Sequence, residues 1–139
     1  MIKYKDSADV VEALVASARN DDFWAVRQSA VETLEQLKRE EDITFLKEKC
    51  LDEKSSVRAV ALNALGEFGK TELVAFFKER FETEDSYLAQ AEALRSIGKC
   101  GDQSQIPFLE EAAQMKSYRN VIKRAAESAI KTIQERSSR

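Results

Sequence analysis

The sequence contains no histidine, two cysteines, one proline, four glycines and one tryptophan. The lack of histidine removes the commonest general base and the commonest metal ligand. Ser-His-Asp, Cys-His and His-Glu-x-x-His chemistry are thereby excluded. Cys50 and Cys100 stand far apart with no CxxC pairing, so they read as two free, packed thiols of a reducing compartment. One proline and four glycines leave long helices few breakers. No apolar run approaches the ~20 residues that span a bilayer, so no membrane segment is expected. The opening residues Lys3, Lys5 and Asp6 lead into an amphipathic segment and do not read as a secretory leader. The location is left open, with the cytoplasm favoured.

What the sequence does have is one apolar template written four times. It reads Val26, Ala30, Leu34, Leu37; then Val57, Ala61, Leu65, Phe68; then Ile122, Ala126, Ile130, Ile133. A looser copy is Tyr87, Ala91, Leu94, Ile97, displaced by one residue after its second member. Steps of four and three place each set on one face of a helix with 3.6 residues per turn. A shorter amphipathic segment precedes every stripe. The chain of 139 residues therefore reads as one all-α domain, an α-α superhelix of about four helix pairs. The repeats run roughly over 6–39, 42–69, 71–101 and 102–137.

Local signals set the expected boundaries. Asp6 or Ser7 caps the first helix, and an Asp of Asn20-Asp21-Asp22 caps the second, which runs from Phe23 to about Arg39. Ser55 or Ser56 caps the second helix of the next pair. Gly69 follows Phe68 where a left-handed helix end favours glycine. Pro107 falls in the first turn of a helix, where proline is tolerated. The final helix is expected from about Tyr118 to Glu135. Ala30, Ala61, Ala91 and Ala126 share one repeat position and predict close approach of paired helices.

These repeats resemble HEAT-like repeats over essentially the whole chain. The resemblance is carried by Val57-Arg58-Ala59-Val60-Ala61 through Gly66-Glu67-Phe68-Gly69. It is carried also by Ile97-Gly98-Lys99-Cys100-Gly101-Asp102 leading into Ile106-Pro107-Phe108-Leu109. The latter turn is similar to the phycobilisome-lyase type. Two shorter segments, Asp21-Asp22-Phe23-Trp24-Ala25-Val26-Arg27 and Ser86-Tyr87-Leu88 with Ala91-Glu92-Ala93-Leu94, resemble the C-terminal helical domain of bacterial aminopeptidase-N-like zinc metallopeptidases. That resemblance implies a non-catalytic piece of a larger enzyme, packed on the catalytic domain and shaping or closing its peptide cavity. Zinc would belong to the upstream catalytic domain; this chain has no cofactor, metal ligand or catalytic residue to assign. The implied partners are the parent's catalytic domain or its peptide substrate. The alternative is a free-standing adaptor that binds another protein.

Certain side chains carry two readings each. Phe23-Trp24 is expected as a packed anchor between repeats; the other reading is an exposed aromatic pair that docks onto a neighbouring domain. Arg27, Arg58 and Lys123 share a repeat position. They form either a ladder of cations paired with neighbouring acids or a basic row on the inner face. In HEAT-like stacks the second helices line the concave side, which makes Arg27, Arg58, Asn63, Gln90 and Lys123 the candidate concave-face binding residues. On that reading Arg27 and Arg58 are exposed, and replacing both with Ala leaves the melting temperature within a few degrees. The stretch from Lys116 holds seven basic residues against Glu127 and Glu135. Only the last helix pair is basic, so nucleic acid is not an expected partner. The acids Glu40-Glu41-Asp42 and Asp52-Glu53 lack the spacing of a calcium loop and read as turn and cap chemistry.

Overall fold

The computed structural model describes residues 7–138, and among them lie eight α-helices and no strand. They are α1 (Ser7–Asn20), α2 (Trp24–Leu37), α3 (Ile43–Lys49), α4 (Ser55–Gly66), α5 (Val74–Thr83), α6 (Tyr87–Cys100), α7 (Ile106–Ala112) and α8 (Val121–Ser137). The pairs are α1/α2, α3/α4, α5/α6 and α7/α8. The second helices α2, α4, α6 and α8 pack on one another in sequence, and each also packs on its own first helix. The first helices scarcely touch each other. The architecture is a stack of four helix pairs with a continuous second-helix layer, as the repeated stripes require.

The stripes form the interior. Val57, Ala61 and Leu65 of α4, Ala91, Leu94 and Ile97 of α6, and Ile122, Ala126 and Ile133 of α8 are fully buried. Truncating such a leucine costs about 2–5 kcal/mol through lost transfer energy and the cavity left behind. The first stripe departs from this pattern. Ala30 and Leu34 are buried, but Val26 and Leu37 lie exposed, because no helix pair among the described residues stacks on the outer side of α2.

Small residues fix the spacing between second helices. A Cβ on Gly66 would stand 2.4 Å from the Ser96 Oγ. One on Gly98 would stand 2.7 Å from the Ala129 Cα. Ser96 Oγ donates to the Leu62 carbonyl at 2.8 Å across the same α4–α6 contact. Cys100 is the last residue of α6, and its thiol reaches the Gly66 carbonyl at 3.5 Å. Both cysteines are free and buried.

Several caps differ from expectation. The Asp6 cap and the side chain of Ser7 lie outside the described residues. The N-cap of α2 is Phe23, with no side-chain cap bond; Asp21 Oδ1, two residues earlier, accepts from the Phe23 N–H at 2.9 Å. Ser55 and Ser56 are the first residues of α4, and Lys54 stands at its cap. The shorter first helices α3, α5 and α7 are prefaced by 3₁₀ turns at Glu40–Asp42, Thr71–Leu73 and Gln103–Gln105. Gly69 adopts φ +62°, left-handed as expected, yet three residues beyond the end of α4. The approach to α8 bends at Tyr118–Asn120, where Arg119 and Asn120 have positive φ, so the helix proper starts at Val121. Pro107 sits in the first turn of α7.

Candidate functional site

The five side chains singled out by repeat position do not converge on one surface. Arg27, Arg58 and Gln90 are each the fourth residue of their helix, and all three turn towards the stack. Arg27 is only 5% exposed and Gln90 is buried, which corrects their assignment to a solvated face. The buried arc of α2 runs through Arg27, Ala30, Val31 and Leu34, one position away from Val26. Arg58 is half-buried, Asn63 sits on the second-helix face, and Lys123 is exposed on α8 away from the others.

The arginines build a ladder. Arg27 grips the Asp52 carboxylate in a fork, Nε to Oδ2 at 2.9 Å and Nη2 to Oδ1 at 3.0 Å. Its Nη1 donates to the carbonyls of Asp21 and Asp22 in its own turn. Arg58 repeats this one pair later. It donates to Glu84 through Nε and Nη2, the latter at 2.7 Å, and to the carbonyls of Asp52 and Glu53. Each arginine thus closes its own turn and anchors the next. Lys49 adds a further tie, from Nζ to the Ala18 carbonyl at 2.8 Å and to Asp52 at 3.1 Å. Burial pushes the Asp52 carboxyl up, but hydrogen bonds from Arg27, the Lys54 N–H and Lys49 outweigh it and hold its pKa below the usual range. Asp52, read from sequence as turn chemistry, is an interior anion. In repeat three the position belongs to Gln90, which donates to the Phe81 carbonyl at 3.1 Å and ends the ladder.

The open surface of the second-helix layer is a different set of residues. A groove of about 320 Å³ runs across α2, α4 and α6. Its polar walls are Gln28, Glu32, Glu35, Ser56, Asn63 and Glu92, and its apolar floor is Ala59, Val60 and Leu88. No cation lines it. Asn63 Nδ2 donates to both Glu35 oxygens at 3.2 Å, and its Oδ1 accepts from Lys99 at 3.1 Å. Burial raises the Glu35 pKa; the Asn63 hydrogen bond opposes the rise, and Glu67 and Glu32 add to it. Glu92 is paired with Arg95 at 2.9 Å, whereas Glu32 has no ion pair among the described residues. Gln28 Oε1 and Ser56 Oγ are buried at the wall without a hydrogen-bond partner.

At the edge of this layer the helices begin with exposed aromatics. Phe23 and Trp24 stand edge to face at 5.9 Å, both exposed, which corrects the packed-anchor expectation. The Lys54 ammonium lies 4.7 Å from the Trp24 ring and covers one face of it. Tyr87, Leu88 and Tyr118 are exposed at the matching ends of the later repeats. Of this surface only Asn63 was a binding candidate from sequence. The signal for the rest was present: Gln28, Glu32 and Glu35 keep steps of four and three and share a face.

Among the described residues no group of three or more His, Cys, Asp or Glu is placed to hold a metal ion. No helix among them is long and apolar enough to cross a membrane. Residues 48–131 match the family of HEAT repeats. A search of the curated proteins found no match.

Proposed function

The chain belongs to the HEAT-repeat family, and from that premise we propose that it is a non-catalytic scaffold that binds a basic segment of a partner protein along its second-helix face. The observation that carries this reading is the groove: three carboxylates, of which Glu92 alone has a cation as ion-pair partner among the described residues, beside an exposed leucine. A lysine or arginine of the partner supplies the donor that Glu32 lacks. An apolar neighbour covers Leu88, and the Trp24 ring, one turn before Gln28, offers a stacking face. The charge of this surface is opposite to the basic row that the repeat positions suggested. It also disfavours phosphate, in keeping with a protein partner in place of nucleic acid.

A place at the end of an aminopeptidase-N-like enzyme is a narrower form of the same scaffold role. The HEAT match does not reach that far. The Asp21–Arg27 segment behind that resemblance is accounted for by the ladder, which any such stack can use.

The test uses the single tryptophan. The full chain is titrated with a short peptide of alternating Arg and Leu and with its Asp–Leu counterpart, following Trp24 emission. The Arg–Leu peptide should bind and shift the emission. The triple variant Glu32→Gln, Glu35→Gln, Glu92→Gln should lose that response with its melting temperature intact. Equal responses to both peptides, or an unaffected triple variant, would refute the reading.

A further inference from the structure

The ladder has an open first rung. Asp21, Asp52 and Glu84 each stand three residues before a second helix, and each accepts a backbone N–H two residues on, from Phe23, Lys54 and Ser86. Asp52 is clamped by Arg27 of the preceding pair and Glu84 by Arg58. Asp21 holds the same position with no ion pair among the described residues.

The apolar template of α2 is open in the same direction. Val26 is 39% exposed, whereas its repeat equivalents Val57 and Ile122, each in a second helix that packs on the preceding one, are fully buried. Leu37 is 45% exposed, whereas Ile133 is covered. Between α1 and α2 on this end lies a shallow depression of about 200 Å³, lined by Leu14, Ser17, Val26, Ser29, Ala30 and Thr33. None of the six is charged, in a chain that is 34% charged. The other end of the stack is closed differently. The outer side of α8 carries Lys123, Arg124, Glu127, Lys131 and Glu135, a polar cap of the kind a terminal repeat needs.

We propose that the α1–α2 end is a docking surface for one further helix pair of the same repeat type, presented by a partner protein, whose second helix sets an arginine on Asp21. Two features fix this occupant. The neutral, small-residue face continues the packing already made by α2 on α4, α4 on α6 and α6 on α8. The unclaimed carboxylate beside it calls for a cation at the ladder position. The polar side of α8 offers no match, so head-to-tail stacking of copies is not favoured.

The test supplies such a pair from the chain itself. A second copy of residues 7–42 is inserted ahead of Ser7 in the full chain, so that the Arg27 of the copy can reach Asp21. The thermal midpoint should rise by about 5 °C or more, and amide exchange across α2 should slow. Asp21→Asn in the original repeat should remove part of that gain. The same change in the unextended chain should be nearly silent, because an amide oxygen still accepts from the Phe23 N–H. An inserted copy that leaves the midpoint and α2 exchange unchanged would overturn the proposal. So would an Asp21→Asn cost that is equal in both chains. An unextended chain that sediments as a dimer, and as a monomer after Val26→Asp, would give the face to a second copy and overturn the assigned occupant.

Discussion

Arg27→Ala is the sharpest perturbation of this fold. The guanidinium is almost wholly buried and makes four hydrogen bonds, two to Asp52 and one each to the carbonyls of Asp21 and Asp22. Its removal leaves a carboxylate whose side chain is barely exposed and two carbonyls that lose their donor. Breaking a buried pair from one side costs about 3–5 kcal/mol, because the remaining charge is uncompensated. Asp52 keeps Lys49 Nζ and the Lys54 N–H, which places the cost near the lower end, about 3 kcal/mol. For a chain of this size each kcal/mol moves the melting temperature by about 2–4 °C, so the expected fall is about 10 °C. Lys123→Ala, at an exposed member of the same repeat position, should stay within about 0.5 kcal/mol. Thermal melts followed by circular dichroism compare the three chains. The pH dependence gives a second check. The pKa of Asp52 is held below its unfolded value, so its contribution is complete above about pH 4 and is lost as acid protonates it. The gap between wild type and Arg27→Ala should therefore narrow in acid. The triple variant Arg27→Met, Lys49→Met, Asp52→Leu should recover part of the loss, since it removes the three buried charges together and leaves none stranded. An Arg27→Ala chain that melts within about 2 °C of wild type at neutral pH would refute the reasoning, because that is how an exposed arginine behaves.

Gly98→Ala should destabilise the chain by about 1–3 kcal/mol in urea unfolding, because the new Cβ meets the backbone of Ala129, which cannot move aside as a side-chain tip can. Glu35→Gln should leave stability unchanged or slightly higher at pH 7. Burial raises the Glu35 pKa, so its favourable contribution is present below the unfolded value and is lost as pH rises; melts at about pH 3.5 should show no gain from the substitution. Cys50 and Cys100 should resist thiol reagents in the native chain and react two per chain after denaturation, since burial pushes both thiols up and away from the reactive thiolate. Rapid native labelling of Cys50 would contradict its place in the core.

Periodicity alone determined the helices, their pairing and most of the core. Steps of four and three among Val57, Ala61, Leu65 and among Ile122, Ala126, Ile133 admit one helical face, and hydrophobicity buries it. The absence of histidine and of ligand spacings likewise needed no structure to exclude several chemistries. Tertiary packing decided the rest, because burial depends on neighbours that a stripe does not reveal. Val26 and Val57 carry the same pattern, yet only Val57 has a preceding helix pair described over it. Arg27 and Lys123 share a repeat position, yet one is an interior ion pair and the other a surface charge, because only Arg27 faces a following turn with an acid at the right height. The charge of the groove was hidden for the same reason. Glu32, Glu35 and Glu92 belong to two helices far apart in sequence, and only the stacking of α2, α4 and α6 brings them to one wall.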